Sequence, residues 1–158
     1  MKLNKSTEQA VYVVIILALQ VNHHPLKSSL LAEILQVSDS YLKKILRKLV
    51  VAGIITSAAS KDGGFQLKKH INQISLFDVY TAVQGSETEI NFTHIGYRLF
   101  DDQKHVQTAE QKIKRVLAKG QKQFFEELKH LSLAELLETY AIQDGAIDWQ
   151  LKKSNDPH

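Results

Sequence analysis

Between Ser28 and Leu67 the chain offers two short apolar helical stripes across a tight turn. Directly after them come two short apolar segments that close on Asp62-Gly63-Gly64. This order of parts constrains the fold more than any other feature. Two helices packed across a tight turn need a small residue where their backbones approach, and Ala32 supplies it. They also need apolar residues at fixed offsets, here Leu31, Leu35, Val37, Leu42 and Ile45. Gln36 stands where such turns often carry glycine. In the second helix Leu42, Ile45, Leu46 and Leu49 form the core stripe, and the opposite face shows Ser40, Lys43, Lys44, Arg47 and Lys48. Ser38 is expected to cap that helix, and Asp39 suits its positive end.

Ile54–Ser57 and Phe65–Lys68 read as strands of a hairpin. Asp62-Gly63 marks the reversal, because glycine accepts positive φ without a Cβ clash, and Lys61 is carried out on the tip. Taken alone, the lysine-rich helix face is no more than a solvated surface. A helix-turn-helix followed at once by a basic-tipped hairpin is something narrower, a winged helix. Its second helix enters the major groove of DNA while the wing flanks it over backbone or minor groove. The expected DNA-contacting set is Ser38, Ser40, Tyr41, Lys43, Lys44, Arg47 and Lys48 with Lys61, Gly63 and Gly64 of the wing.

Charge supports this division. Residues 1–74 hold ten Lys/Arg against four Asp/Glu, while residues 75–158 hold ten against thirteen. A basic front and an acidic back suit a polyanion-binding module joined to something else. No cysteine is present, which excludes disulfides, thiolate metal sites and cysteine nucleophiles. The apolar run Ala10–Leu19 follows two lysines, but Glu8 interrupts the basic stretch and Val21-Asn22-His23 offers no cleavage site. It is also too short to span a bilayer. A buried helix, no membrane partner and a cytoplasmic setting are expected.

Capping-box spacings at Ser6/Gln9, Thr108/Gln111 and Ser132/Glu135, with a similar one at Ser75/Asp78, mark helix starts. The reading is helices over 6–21, 28–35, 39–52, 75–84, 108–129 and 133–141, with no clear period in 85–107 and a polar tail in which Trp149 could dock. The fold class is therefore mainly α with a small β-hairpin wing. Residues 1–85 form the winged domain, 86–107 a loop or sensor-like segment, and 108–158 a long dimerisation helix, a short helix and the tail. In the long helix Ile113, Val116, Leu117, Phe124 and Leu128 give a stripe with near-heptad steps, and Gly120 allows close approach of a partner backbone or a kink. Packing within the chain against helix 6–21 is the alternative, and both can hold, because Phe124 and Phe125 point to different faces.

The stretch from Val37 to Gly85 resembles the Rrf-two family of bacterial winged-helix regulators. The matching residues are Ser38, Tyr41 and Leu42, then Ala52-Gly53-Ile54-Ile55 and Ser57, then Gly63-Gly64-Phe65 with Leu67, then Ile74 through Asp78-Val79 to Ala82-Val83 and Gly85. The resemblance is specific over residues 5–85 and looser beyond. It implies a homodimeric transcription factor, usually a repressor, on a near-palindromic operator. Members that sense through an iron–sulfur cluster carry three cysteines in the segment matching 85–107; with none here, no cluster is expected. His94 and His105 lie in that segment but make a poor metal set, so neither metal nor cofactor is expected. Lys43 replaces a glutamate usual in the family, which exchanges an acceptor for cytosine N4 with a donor for guanine or phosphate. Ala59 and Ser60 stand where the family's wing has Arg-Gly, so Lys61 replaces a minor-groove arginine only in part.

Three functions compete. The first is a sequence-specific DNA-binding regulator, acting as a homodimer and answering to an effector the sequence does not name. The second is a protein-interaction module on the same scaffold with weak DNA binding. The third, an enzyme, has little support, since the histidines are scattered and no nucleophile motif or phosphate-binding glycine loop is present.

Overall fold

The computed structural model describes residues 2–86 and 90–154. Helices α1 (Lys5–Leu19), α2 (Ser28–Ile34) and α3 (Asp39–Val51) precede strands β1 (Ile55–Ser57) and β2 (Phe65–Leu67). Helices α4 (Leu76–Gln84), α5 (Gly96–Leu99), α6 (Gln103–His130), α7 (Ala141–Asp144) and α8 (Trp149–Ser154) follow. The chain divides into two units, Met1–Gly85 with Lys129–His158, and Ser86–Leu128. No helix among the described residues is long and apolar enough to cross a membrane.

The first unit is built on α1. The run read as a buried helix is one: Ala10, Val13, Val14, Ile16, Leu17 and Ala18 all face the core. Around them pack Leu31 and Ala32 of α2, the α3 stripe Leu42, Ile45, Leu46 and Leu49, Val79 and Val83 of α4, and Leu133. The end of the chain closes the far side of α1. Trp149 donates its indole N–H to the Ile16 carbonyl at 3.0 Å and its backbone N–H to Gln20 Oε1 at 3.1 Å.

Two helix ends show how the helix-turn-helix is set. At the end of α3, Gly53 adopts φ +70°, and the Gly53 and Ile54 amides donate back to Val50 and Leu49. At the end of α2, Gln36 and Val37 donate in the same pattern to Glu33 and Ala32, with Gln36 at φ +53°. Both are Schellman endings, which favour glycine at the left-handed position. The turn thus holds glutamine in a conformation that costs a residue with a Cβ about 1–2 kcal/mol.

The hairpin pairs Ile55 with Leu67, Thr56 with Gln66 and Ser57 with Phe65. Leu26 bridges the other edge of β2, exchanging both backbone hydrogen bonds with Phe65 at 2.9 and 2.8 Å. The wing glycines serve a different purpose from the one expected. Neither Gly63 nor Gly64 lies at positive φ. A Cβ on Gly64 would stand 2.5 Å from the Leu26 carbonyl oxygen, and one on Gly63 would collide with the Ala58 carbonyl. Close backbone approach, not left-handed geometry, is what requires glycine there.

Three helix starts differ from the sequence reading. Helix α1 begins after Asn4, and Ser6 makes no cap; Gln84 of α4 instead accepts from the Asn4 N–H at 3.0 Å and the Thr7 hydroxyl at 2.6 Å. Helix α6 begins at Gln103, because Asp102 accepts from the His105 amide at 3.0 Å, and Thr108 sits inside with its hydroxyl on the Lys104 carbonyl. The Ser132/Glu135 box is present but caps a 3-10 turn, Leu133–Leu136, and not a helix to residue 141. The Ser75/Asp78 box caps α4 as expected.

The second unit contains the short helix α5, absent from the sequence reading, and most of α6. At 28 residues α6 is longer than expected. Among its residues Ile113, Val116 and Leu117 are exposed, Phe124 and Leu128 are half-buried, and the space around Gly120 is open.

Candidate nucleic-acid interface

Helix α3 presents its polar face because its apolar stripe is fully spent on the core. Leu42, Leu46 and Leu49 have no exposed surface, so Ser40, Lys43, Lys44 and Arg47 point to solvent. Ser38 caps the helix, accepting from the Tyr41 amide at 3.2 Å, and its hydroxyl lies 3.4 Å from that of Ser40. Tyr41 is exposed beside them. This arrangement puts hydroxyls and a phenol at the helix N-terminus, where partial positive charge and free N–H groups favour an anion.

Lys43 carries an internal restraint. Its Nζ lies 2.7 Å from Asp39 Oδ2, one turn back on the helix. The Lys43 ammonium beside it, with a smaller contribution from the Ser28 hydroxyl, holds the Asp39 carboxyl below its ordinary range. Lys48 is engaged more firmly. Its Nζ donates to the Val83 carbonyl at 2.8 Å, in the last turn of α4, where a cation is favoured. Of the basic residues assigned to this face from sequence, Lys44 and Arg47 extend into solvent, Lys43 is shared with Asp39, and Lys48 is turned toward α4.

The wing and α3 meet across a cleft of about 510 Å³. Lys43 lines it from the helix, Lys61 with Gly63 and Gly64 from the wing, and Lys27 with Ser28 and Ser29 from the segment entering α2. The geometry therefore joins two features that lie apart in sequence and adds a third. Lys27 was not singled out from sequence. Its signal is positional: it immediately precedes Ser28, the first residue of α2, and Leu26 beside it is stitched to the wing at Phe65.

These features define a winged-helix DNA-binding unit, and comparison with known proteins places it. Residues 3–139 match the model of the Rrf2 family, described as iron-dependent transcriptional regulators. The chain belongs to the Rrf2 family of transcriptional regulators. YffB of Lactococcus lactis, named as an HTH-type transcriptional regulator, is 46% identical over 85 residues, which are 54% of each chain. YwgB of Bacillus subtilis, named likewise, is 37% identical over 105 residues, 66% of this chain and 67% of that one. The matched region thus spans about half to two thirds of these relatives. Among solved structures, CymR, the global cysteine regulator of B. subtilis, superposes with a TM-score of 0.62 at 20% identity, over 86% of this chain and 95% of its own. IscR of T. potens also gives a TM-score of 0.62 at 20% identity, over 100% and 93%. Likeness at this identity speaks for the fold.

The family's description raises the question of iron. A thiolate-ligated cluster has no ligands here, since the chain contains no cysteine. Among the described residues no three His, Asp or Glu side chains converge as a metal site. His94 is paired with Glu110, its Nδ1 lying 3.0 Å from Oε2. The donors present do not fit the group.

Proposed function

We propose that this regulator binds a near-palindromic operator as a homodimer and acts as a cytoplasmic repressor without an iron–sulfur cluster. The observation that carries the reading is the shared cleft: Lys43 of α3 and Lys61 of the wing line the same opening with Lys27. Lysines converging from three segments suit a phosphate backbone followed from one groove to its edge. Lys43 projects from the first half of α3, where side chains of such helices meet base edges, and Lys61 projects where phosphate contact is expected. Dimerisation is assigned to α6, whose Ile113, Val116 and Leu117 are exposed apolar residues and whose Gly120 has open space around it. The reading gives the protein a binding role and no catalytic one.

The test is affinity on genome-selected operator and on scrambled DNA at several salt concentrations. Lys43→Ala should cost roughly 1–3 kcal/mol on the operator and relax its sequence preference. Lys61→Ala should weaken both DNAs alike and reduce the salt slope by about one unit. If Lys61→Ala changes neither affinity nor slope, the hairpin does not contact DNA and the interaction-module reading takes its place.

A further inference from the structure

The second unit forms an open concavity of about 500 Å³ that DNA recognition leaves unused. Phe92, Ile95, Phe100, Val106, Ala109 and Ile113 make its lining largely apolar. Two of these, Ile95 and Phe100, lie outside the residues assigned to the dimer and are exposed large hydrophobics, so the concavity is an unfavourable surface to leave in water. The volume falls within the range typical of small-molecule sites, which are apolar with a few placed polar groups.

The polar part of the lining is Thr93, His105 and the His94–Glu110 pair, and the pair is held by a contact of its own. Both carboxylate oxygens of Glu110 lie near His94 Nδ1, at 3.2 and 3.0 Å. A carboxylate oxygen accepts, so Nδ1 is a protonated nitrogen of the ring, and the contact fixes the ring's orientation while leaving Nε2 for a second hydrogen bond. His94 is held in this role at a cost, since its φ of +55° is a left-handed conformation unusual for a residue with a Cβ. Tyr97 packs edge-on against the imidazole, with ring centroids 5.6 Å apart. The wall behind is tight: a Cβ on Gly96 would come within 2.8 Å of the Val106 side chain. A strained, carboxylate-oriented histidine on the rim of an apolar cavity is built for more than solvation.

We propose that this cavity binds a small, mainly apolar, ring-sized organic molecule bearing one hydroxyl, which forms a hydrogen bond with the His94 imidazole. The lining supplies the burial and the oriented ring supplies the selection. The claim concerns the second unit alone and does not depend on DNA binding.

The probe is 2-naphthol, with naphthalene as the analogue lacking the donor. On the wild-type chain 2-naphthol should saturate one site per chain and shift amide resonances within residues 90–113. Naphthalene should bind about tenfold more weakly, the value of one hydrogen bond. His94→Ala should abolish that preference while leaving naphthalene affinity in place. Ala109→Phe should fill the cavity and remove binding of both compounds. Failure of 2-naphthol to saturate, or resonance shifts confined to other residues, overturns the proposal without needing any variant. Binding that appears only in a Val116→Glu monomer overturns it too, because a second copy of the chain is then the occupant.

Discussion

Lys48 and Val83 join α3 to α4: the lysine Nζ donates to the valine carbonyl at 2.8 Å. The bond ties α3 to the C-terminal turn of a neighbouring helix. Lys48→Met should therefore lower stability by about 1 kcal/mol, the net value of one partly exposed hydrogen bond. Its effect on operator affinity should be much smaller than that of Arg47→Ala, whose side chain is exposed on the same helix. Denaturant melts beside DNA titrations of both variants check this, and the reverse order would return Lys48 to the DNA face.

Asp39 restrains Lys43 in the free protein, and on the proposed function DNA competes with it. Asp39→Asn should tighten binding on every sequence and steepen the salt dependence by up to about one unit, since a full cation becomes available to phosphate. The same pair gives a pH signature. Because the Asp39 carboxyl is held below its unfolded-state value, its ionised form stabilises the fold above that value. That contribution is lost as pH falls through the folded-state value. The stability difference between wild type and Asp39→Asn should then vanish in acid, as seen in melts below and above the carboxylate range.

Gln36 occupies the left-handed position of the helix-turn-helix at φ +53°. Gln36→Gly relieves that strain but frees the unfolded chain, so the net gain should be about 0.5–1 kcal/mol. A rise in melting temperature without change in operator affinity is the expected result. Gln36→Ala keeps the strain and should give no such rise.

Gly120 separates a crowded helix from an uncrowded one. Within the chain nothing comes within 4 Å of a Cβ built there. In a monomer, Gly120→Ala should add about 1 kcal/mol through helix propensity alone. If a partner backbone approaches at this point, the same change should weaken the dimer, as sedimentation at decreasing concentration would record. Ile113→Glu should give monomers or insoluble protein, because it would bury an unpaired charge. A wild-type chain that sediments as a monomer at micromolar concentration removes the homodimer and its palindrome together.

What the sequence made legible was the periodic part. The stripe Leu42, Ile45, Leu46 and Leu49 is buried throughout, and Ser38 and Ser75 cap the helices expected of them. A 3.6-residue period and a polar cap are local signals and survive folding intact. What escaped was set by distant partners or by short elements. Gln84 took over the start of α1 from eighty residues away, which no local pattern at Ser6 could report. Helix α5 has four residues, too few to show a period. Asp102 is a good N-cap residue, but it lacks the Glu or Gln three positions on that completes a capping box. In the site, Lys43 and Lys61 were both legible, but their common cleft and its Lys27 wall depend on the Leu26–Phe65 bridge. The diversion of Lys48 depends on where α4 ends.

The hydrogen bond from Trp149 to Ile16 has a consequence in time. Helix α1 leaves the ribosome well before part of its cover, Leu133, Ala134, Ile142 and Trp149, has been made. During synthesis its Ile16 flank must wait, apolar and uncovered, while the whole of Ser86–Leu128 is added. That interval is when the nascent chain is most open to aggregation and to chaperones. Trp149 is the chain's one tryptophan, so its emission reports directly when the wait ends.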